Sequence, residues 1–344
     1  MAGTGTVDVR SDTVTRPTPA MLEAMMRAHV GDDVFGEDET VDALQRKAAE
    51  LFGKEAALFC PSGTMTNQIG IRLHTQAGDE VICDQLAHVY LYEGGGIARN
   101  SGASVRLLAG DRGRFTAEQV RENVNRRDDS HLPYTRLVAV EDTVNKGGGC
   151  CWALDELSRI RTVCDEHGLA LHMDGARLFN ALVAKGETPK QYGAICDTIS
   201  LCLSKGLGAP VGSLLLGSKK HIGIAHRVRK VMGGGMRQAG YLAAAGLYAL
   251  DHHIDRLRED HRKARALEGE LQNLAYVTEV LPVETNIVIF KLDPAMNTDR
   301  FLAHLSEQGV RALSIGPRLI RIVFHLDVSD GQFETLIGAV RSLH

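Results

Sequence analysis

The stretch Asp197-Thr-Ile-Ser-Leu-Cys-Leu-Ser-Lys-Gly-Leu-Gly-Ala-Pro-Val-Gly212 decides how this chain is read. An apolar run ends at Leu203, a serine and a lysine follow at once, and glycines and a proline then break the chain. A short Ile/Leu-rich run without strict polar alternation is the pattern of a strand covered on both faces. Lys205 then stands at the mouth of a sheet, where partial desolvation leaves an amine available for Schiff-base chemistry. The residues alone leave a surface lysine in a strand-to-loop turn equally open.

Outward from this segment the chain alternates. Upstream, Leu169–Met173 is strand-like and ends in Asp174, preceded by an amphipathic helix over Ala153–Glu166 and a strand over Leu137–Val140. Further back lie a helix over Thr116–Asn125, strands at Ser104–Leu108, Asp79–Cys83 and Ala56–Cys60, and a helix from Thr40 that Gly53 stops. Gly94–Ala98 reads as lying in or beside a helix start, and Gly212–Leu216 as the next strand downstream. Strand–helix–strand repetition over some 200 residues predicts an α/β fold, a mostly parallel sheet with helices on both faces. Gln238–Glu270 reads as one or two long helices. The tail then offers strands at Val283–Leu292 and Leu319–Leu326 and helices at Asp299–Gln308 and Asp330–Ser342, a compact C-terminal α+β unit. The expected division is 1–30 as an N-terminal arm with a short helix, 31–250 as the large domain and 251–344 as the small one.

Composition narrows the classes. Of 344 residues, 44% are hydrophobic and 24% charged, a globular mix that excludes a mainly disordered or fibrous chain. Thirty-nine basic against 43 acidic residues give a formal charge of −4, with no bulk attraction to nucleic acid or anionic lipid. Seven cysteines, an odd number set mostly in apolar stretches, do not form a disulfide framework and point to a reducing compartment. The start, Met1 to Val7, has no basic flank or apolar segment of a leader, and no 18-residue apolar run occurs. The expectation is a cytoplasmic protein with neither a nucleic-acid nor a membrane partner.

Two further segments carry chemistry. In Leu169-Ala-Leu-His-Met-Asp-Gly-Ala-Arg177 an aspartate closes a buried strand, at the edge where open α/β sheets place ligands. Asp174 there can pair with a protonated heterocycle or cap the next helix. Pro61-Ser-Gly-Thr64 offers backbone amides and two hydroxyls at a helix start, a phosphate cradle by geometry.

Taken together, these segments resemble the L-threonine aldolase family of pyridoxal-phosphate enzymes, from Val9 to about Asp327. The resemblance is carried by Arg10-Ser-Asp-Thr-Val-Thr-Arg-Pro17, Gly31-Asp-Asp-Val34, Pro61-Ser-Gly-Thr64, His172-Met-Asp-Gly-Ala-Arg177, Ser204-Lys-Gly-Leu-Gly-Ala-Pro-Val-Gly212 and Gly233-Gly-Gly-Met-Arg-Gln-Ala-Gly240. It implies the aspartate-aminotransferase-like fold type I with a seven-stranded central sheet. It implies pyridoxal 5'-phosphate as cofactor and cleavage of a β-hydroxy-α-amino acid to glycine and an aldehyde. The same apparatus would serve a racemase or a β-eliminating lyase, and a non-catalytic pyridoxal-phosphate-binding regulator is the alternative of another class.

The resemblance also implies roles. Lys205 would carry the cofactor, Asp174 would pair with its ring nitrogen, and His88 would stack on the ring. Ser62, Gly63, Thr64 and Ser204 would hold the phosphate, joined by Lys230 and Arg237 from a neighbouring subunit. A homo-oligomer with shared sites follows, a dimer at minimum and a tetramer by family habit. Arg177 would lie by the cofactor and the substrate carboxylate, its residue-level alternative being a structural ion pair. Ser11 and Arg321 match positions for the α-carboxylate, Arg321 being favoured over Arg318, and Tyr92 falls near the substrate. No metal site is expected. Three departures remove polarity: Val144 stands where the family carries histidine, Phe35 where it carries tyrosine, and Phe324 where it carries threonine. With Val144 and Phe35 counted as pocket residues, phenylserine is expected to be cleaved better than threonine.

Overall fold

In this computed structural model residues 5–343 are described; the first four residues of the arm, with part of the leader reading, and His344 lie outside them. The strands in chain order are β1 (Val7–Asp8), β2 (Ala56–Cys60), β3 (Glu80–Asp84), β4 (Ser104–Leu108), β5 (Thr135–Glu141), β6 (Ala170–Gly175), β7 (Thr198–Cys202), β8 (Ser213–Gly217), β9 (Val277–Val280), β10 (Ile287–Leu292), β11 (Val310–Arg311), β12 (Leu313–Gly316) and β13 (Leu319–Val323). Seven of them form the central sheet in the order β2-β8-β7-β6-β5-β3-β4, with only β8 antiparallel to its neighbours. β7 and β8 are buried along their whole length, which accounts for their unbroken apolar runs. Because β3, β5, β6 and β7 run the same way, Asp84, Glu141, Asp174 and the chain leaving Cys202 all reach one edge.

Three early helices show how local sequence sets the elements. α1 (Pro19–Met26) starts with Thr18 capping and proline in its first turn, and α2 (Glu39–Phe52) is capped by Asp38 and ended by Gly53 at φ 63°. α3 (Gly63–His74) is capped by the Ser62 hydroxyl and lies tightly on the sheet. A Cβ on Gly70 would sit 2.4 Å from the His172 ring, so only glycine allows that approach.

The C-terminal unit packs a four-stranded antiparallel sheet, β12-β13-β10-β9, against helices Thr298–Glu307 and Asp330–Arg341. The arm joins it: β1 pairs parallel with β11, and Val7 and Val9 belong to the same apolar cluster as Phe290, Phe301 and Phe324. Met21 of α1, by contrast, packs in the large cluster with Leu44 and Phe52. Gln238–Glu270 resolves into two helices, Gly240–His252 and Leu257–Leu271. Gly94–Ala98 runs into a five-residue π-helical turn, Ile97–Ser101, which begins within that span.

The Gly70 contact yields a test. Gly70→Ala is expected to cost about 1–3 kcal/mol by overpacking. It should be read as a lower urea midpoint at unchanged slope; parental stability would show that α3 can lift off the sheet freely.

Candidate active site

At the carboxyl edge of the sheet a cleft of about 410 Å³ is lined by Ser11, Thr13, His88, Tyr92, Asn145, Arg177, Lys205, Ser314, Ile315 and Arg321. Large unit, arm and small unit all contribute. Lys205 sits in the β7–β8 connection, where its carbonyl accepts from the Gly208 amide (2.8 Å) and from Thr15 Oγ1 (3.2 Å). Among the described residues no carboxylate pairs with its amine.

Beneath the cleft lies a buried polar network. Asp174 is buried without a lysine or arginine partner; its Oδ1 accepts from the Ala176 amide and its Oδ2 from Asn67 Nδ2 at 2.9 Å. The other Asn67 amide proton goes to Glu93 Oε1 (2.8 Å), which also accepts from His88 Nδ1 (3.0 Å). Since a carboxylate only accepts, His88 carries its proton on Nδ1 and leaves Nε2 as the free ring nitrogen. Burial works against the charged imidazole, but the Glu93 hydrogen bond and the charges of Asp174 and Glu141 outweigh it and raise its pKa. Glu141 accepts from the amides of His88 (2.8 Å) and Asn145 (2.9 Å), and burial next to Asp174 pushes its pKa up.

Arg177 is held by Asp12 through two hydrogen bonds of 2.8 and 2.7 Å, both side chains buried. Despite burial, which opposes ionisation, Arg177 holds the Asp12 carboxyl at about 2. The structural ion pair left open from the residues is therefore present, although Arg177 also faces the cleft. Arg321 differs: it donates to Asn145 Oδ1 (3.0 Å) and the Arg10 carbonyl (3.2 Å), its Nε is buried without a partner, and no carboxylate meets it. Burial, reinforced by Arg177, lowers its pKa. Arg318 lies outside, in the β12–β13 turn at φ 59°.

The residues present fit pyridoxal phosphate. An uncompensated buried carboxylate at Asp174 suits a ring N–H, and the N-terminus of α3 lies against the hairpin carrying Lys205: a Cβ on Gly63 would stand 3.5 Å from Ser213 Oγ, itself buried and unpartnered. Ser62 and Thr64 are exposed at that helix start, and Ser204 lies beside Lys205. Lys230 and Arg237 do not line the cleft. Both are exposed, Arg237 paired with Asp32 at 2.8 Å, in a patch that includes Phe35.

Two pocket assignments change, and the third departure from the family pattern, Phe324, also falls outside the cleft. Val144 is 1% exposed and packs in the large core, within reach of a Cβ on Gly113, so its side chain does not line the cleft. Its neighbour Asn145 does. Phe35 is 73% exposed and outside the cleft of its own chain. Phe324 is a core residue of the small unit. Asn67, Glu93, Glu141, Asn145 and Asp12 were not read from the sequence as site residues; for Glu141 the available signal was its place at the end of the strand beside Asp174.

A family model described as β-eliminating lyase matches residues 8–295. The chain is 43% identical over 327 residues to the low specificity L-threonine aldolase of Escherichia coli (strain K12), covering 95% of this chain and 96% of that one. It is 40% identical over 329 residues to the low-specificity L-threonine aldolase 1 of Arabidopsis thaliana, covering 94% and 92%. The structure of Leishmania major threonine aldolase superposes with a TM-score of 0.84 at 22% identity, over 97% of this chain and 98% of that one, a likeness of fold.

Next to Glu141, Asp142 is fully buried and neither of its carboxyl oxygens has a partner. Burial pushes its pKa well above the usual carboxylate range, only partly opposed by the charge of Lys185. With the folded value above the unfolded one, its contribution is intact below the unfolded pKa, about 3.9, and is lost as pH rises through the folded value. Asp142→Asn removes that titration. Its melting temperature should match the parent's near pH 4 and exceed it increasingly above; parallel curves from pH 4 to 9 would show that Asp142 does not govern alkaline stability.

Proposed function

We infer that the site performs the chemistry of its family: the chain belongs to the β-eliminating lyases and, within them, to the threonine aldolases, and is a pyridoxal-phosphate-dependent carbon–carbon lyase that splits a β-hydroxy-α-amino acid into glycine and an aldehyde. The observation that carries the residue assignments is the convergence of Lys205, His88 and a carboxylate-free Arg321 on one cleft above Asp174. Bound pyridoxal phosphate supplies an electron sink conjugated with the substrate Cα.

The chain's own residues do the rest. Lys205 offers the amine that holds the cofactor, and Asp174 keeps a proton on the ring nitrogen, its second oxygen steadied by Asn67. Ser62, Gly63, Thr64 and Ser204 hold the phosphate at the start of α3. Arg321, with Ser11 beside it in the cleft, takes the α-carboxylate; two parallel hydrogen bonds from a guanidinium fix the rotation about Cα. Fixing that rotation would align the Cα–Cβ bond for cleavage. His88 removes the β-hydroxyl proton through Nε2, its raised pKa letting it hold that proton near neutrality. Tyr92, Ser314 and Ile315, which also line the cleft, are available to meet the β-substituent.

Assembly and compartment follow as proposals. Lys230, Arg237 and Phe35, exposed and outside the cleft, are placed to serve a neighbouring subunit's site, so the functional unit is at least a dimer. Seven free, buried cysteines suit the cytoplasm, and no helix among the described residues is long and apolar enough to cross a membrane.

Two outcomes are expected. Lys205→Ala should abolish the visible absorbance of the bound cofactor and lower turnover by at least about 10³-fold. Borohydride reduction and peptide mapping should find the label on Lys205 alone; label on another lysine would overturn the assignment. Val144→His should lower stability by about 1–3 kcal/mol, the cost of a buried polar ring, without speeding threonine cleavage. Kinetics on threonine, allo-threonine and phenylserine, with glycine and aldehyde quantified, check this; faster threonine cleavage by the variant would return position 144 to the pocket.

A further inference from the structure

The cleft holds two guanidiniums side by side but only one carboxylate to match them. Asp12 takes two donors of Arg177. Arg321 meets neutral oxygens only, Asn145 Oδ1 at 3.0 Å and the Arg10 carbonyl at 3.2 Å. Asn145 Oδ1 also lies 3.4 Å from Arg177 Nη1, so one amide oxygen stands between both cations. Its backbone is held in place: the Asn145 main-chain N–H donates to Glu141 Oε1 at 2.9 Å, and the preceding Val144 is locked in the core. Its Nδ2 has no protein partner among the described residues.

The chemistry of position 145 is narrow. An apolar residue would strip Arg321 Nη1 of its acceptor and let the guanidinium turn. An aspartate would keep the acceptor but add a charge between two arginines, compensating Arg321 before any substrate arrives. Asparagine here supplies an oriented acceptor with no charge, so the cleft keeps its excess positive charge for an incoming monoanion.

We propose that Asn145 is the positioning residue for the α-carboxylate: it aims the Arg321 fork while leaving its charge uncompensated, and so sets the selectivity of the cleft for amino acids over their amine or amide analogues. This rests on Arg321 being the carboxylate anchor. The idea separates from a structural role because it sets stability and substrate affinity moving in opposite directions.

The test compares the purified holoenzyme with its N145D, N145A and R321K forms. N145D should melt at or above the parental temperature, since it gains ion pairs, yet raise KM for threonine about 100-fold or more while kcat at saturation stays within about threefold. N145A should raise KM about 3–10-fold, through lost orientation alone. Inhibition by propionate, a carboxylate without the amine, should weaken in the same order. N145D with a parental KM and parental propionate inhibition would overturn the proposal, as would equal KM increases in N145A and N145D with both melting lower. R321K separates the underlying reading: a parental KM there would remove the carboxylate anchor itself, whereas a raised KM in R321K with a parental N145D would sink only the role of Asn145.

Discussion

Two strands, β5 and β6, end side by side in carboxylates, and the site is built around the cost of burying them. Glu141 and Asp174 are register partners, and Glu93 joins them from a loop, yet among the described residues no lysine or arginine pairs with any of the three. Buried carboxylates without cations must be solvated by fixed donors. Asn67 serves two of them, and its own oxygen accepts from His172 Nε2 at 3.2 Å. His172 therefore carries its proton on Nε2, leaving Nδ1 to accept from the Thr198 hydroxyl (2.9 Å), which in turn accepts from His74 Nε2 (3.1 Å). Burial lowers both histidines, His172 to about 4 and His74 to about 3, so the chain stays neutral and each hydrogen bond points its positive end toward the acids. Gly70 belongs to the same device, because a side chain there would displace the His172 ring.

The second constraint is the ion pair of Asp12 with Arg177. It crosses from the arm to the sheet edge with both groups dry, and losing one partner of such a pair costs about 3–5 kcal/mol because a bare charge remains. The arm is thereby fixed at two places: β1 is stitched to β11 of the small unit, and Asp12 is bound to the large one. Arg321, carried by β13 of the small unit, is consequently delivered to a cleft whose other wall belongs to the large unit. The position of Arg321 in the cleft thus depends on the N-terminal segment as well as on the two units it joins.

Much of this was legible in residue order. Ala56–Cys60 and Ser104–Leu108 coincide with β2 and β4, because short apolar runs between turn residues leave few choices. Lys205, Asp174 and Arg321 were readable because each puts a charge at the end of, or inside, an apolar strand, where only a ligand or a partner tolerates it. Asn67 and Glu93 were not: one is an unremarked amide within α3, the other an acid in a glycine-rich loop, and only the fold brings them within 2.8 Å. Helix Lys219–Val231 escaped because its apolar stripe is thin and its exposed face is basic. Val144 was misplaced for a simpler reason. A motif gives the position of a residue, but in an irregular turn adjacent side chains leave in opposite directions, and here the core took Val144 and the cleft took Asn145.

That reversal changes what the departures from the family pattern mean. If Val144 and Phe35 lined the cleft, their loss of polarity would bear on the β-hydroxyl directly. With Val144 in the core and Phe35 outside its own chain's cleft, the histidine among the described residues lining the cleft is His88, oriented by Glu93, its pKa raised against burial by the Glu93 hydrogen bond and the charges of Asp174 and Glu141. Glu141 beside it is pushed up by burial and by the charge of Asp174. On the proposed mechanism, the proton leaving a β-hydroxyl moves to a group already surrounded by negative charge, without a histidine at position 144.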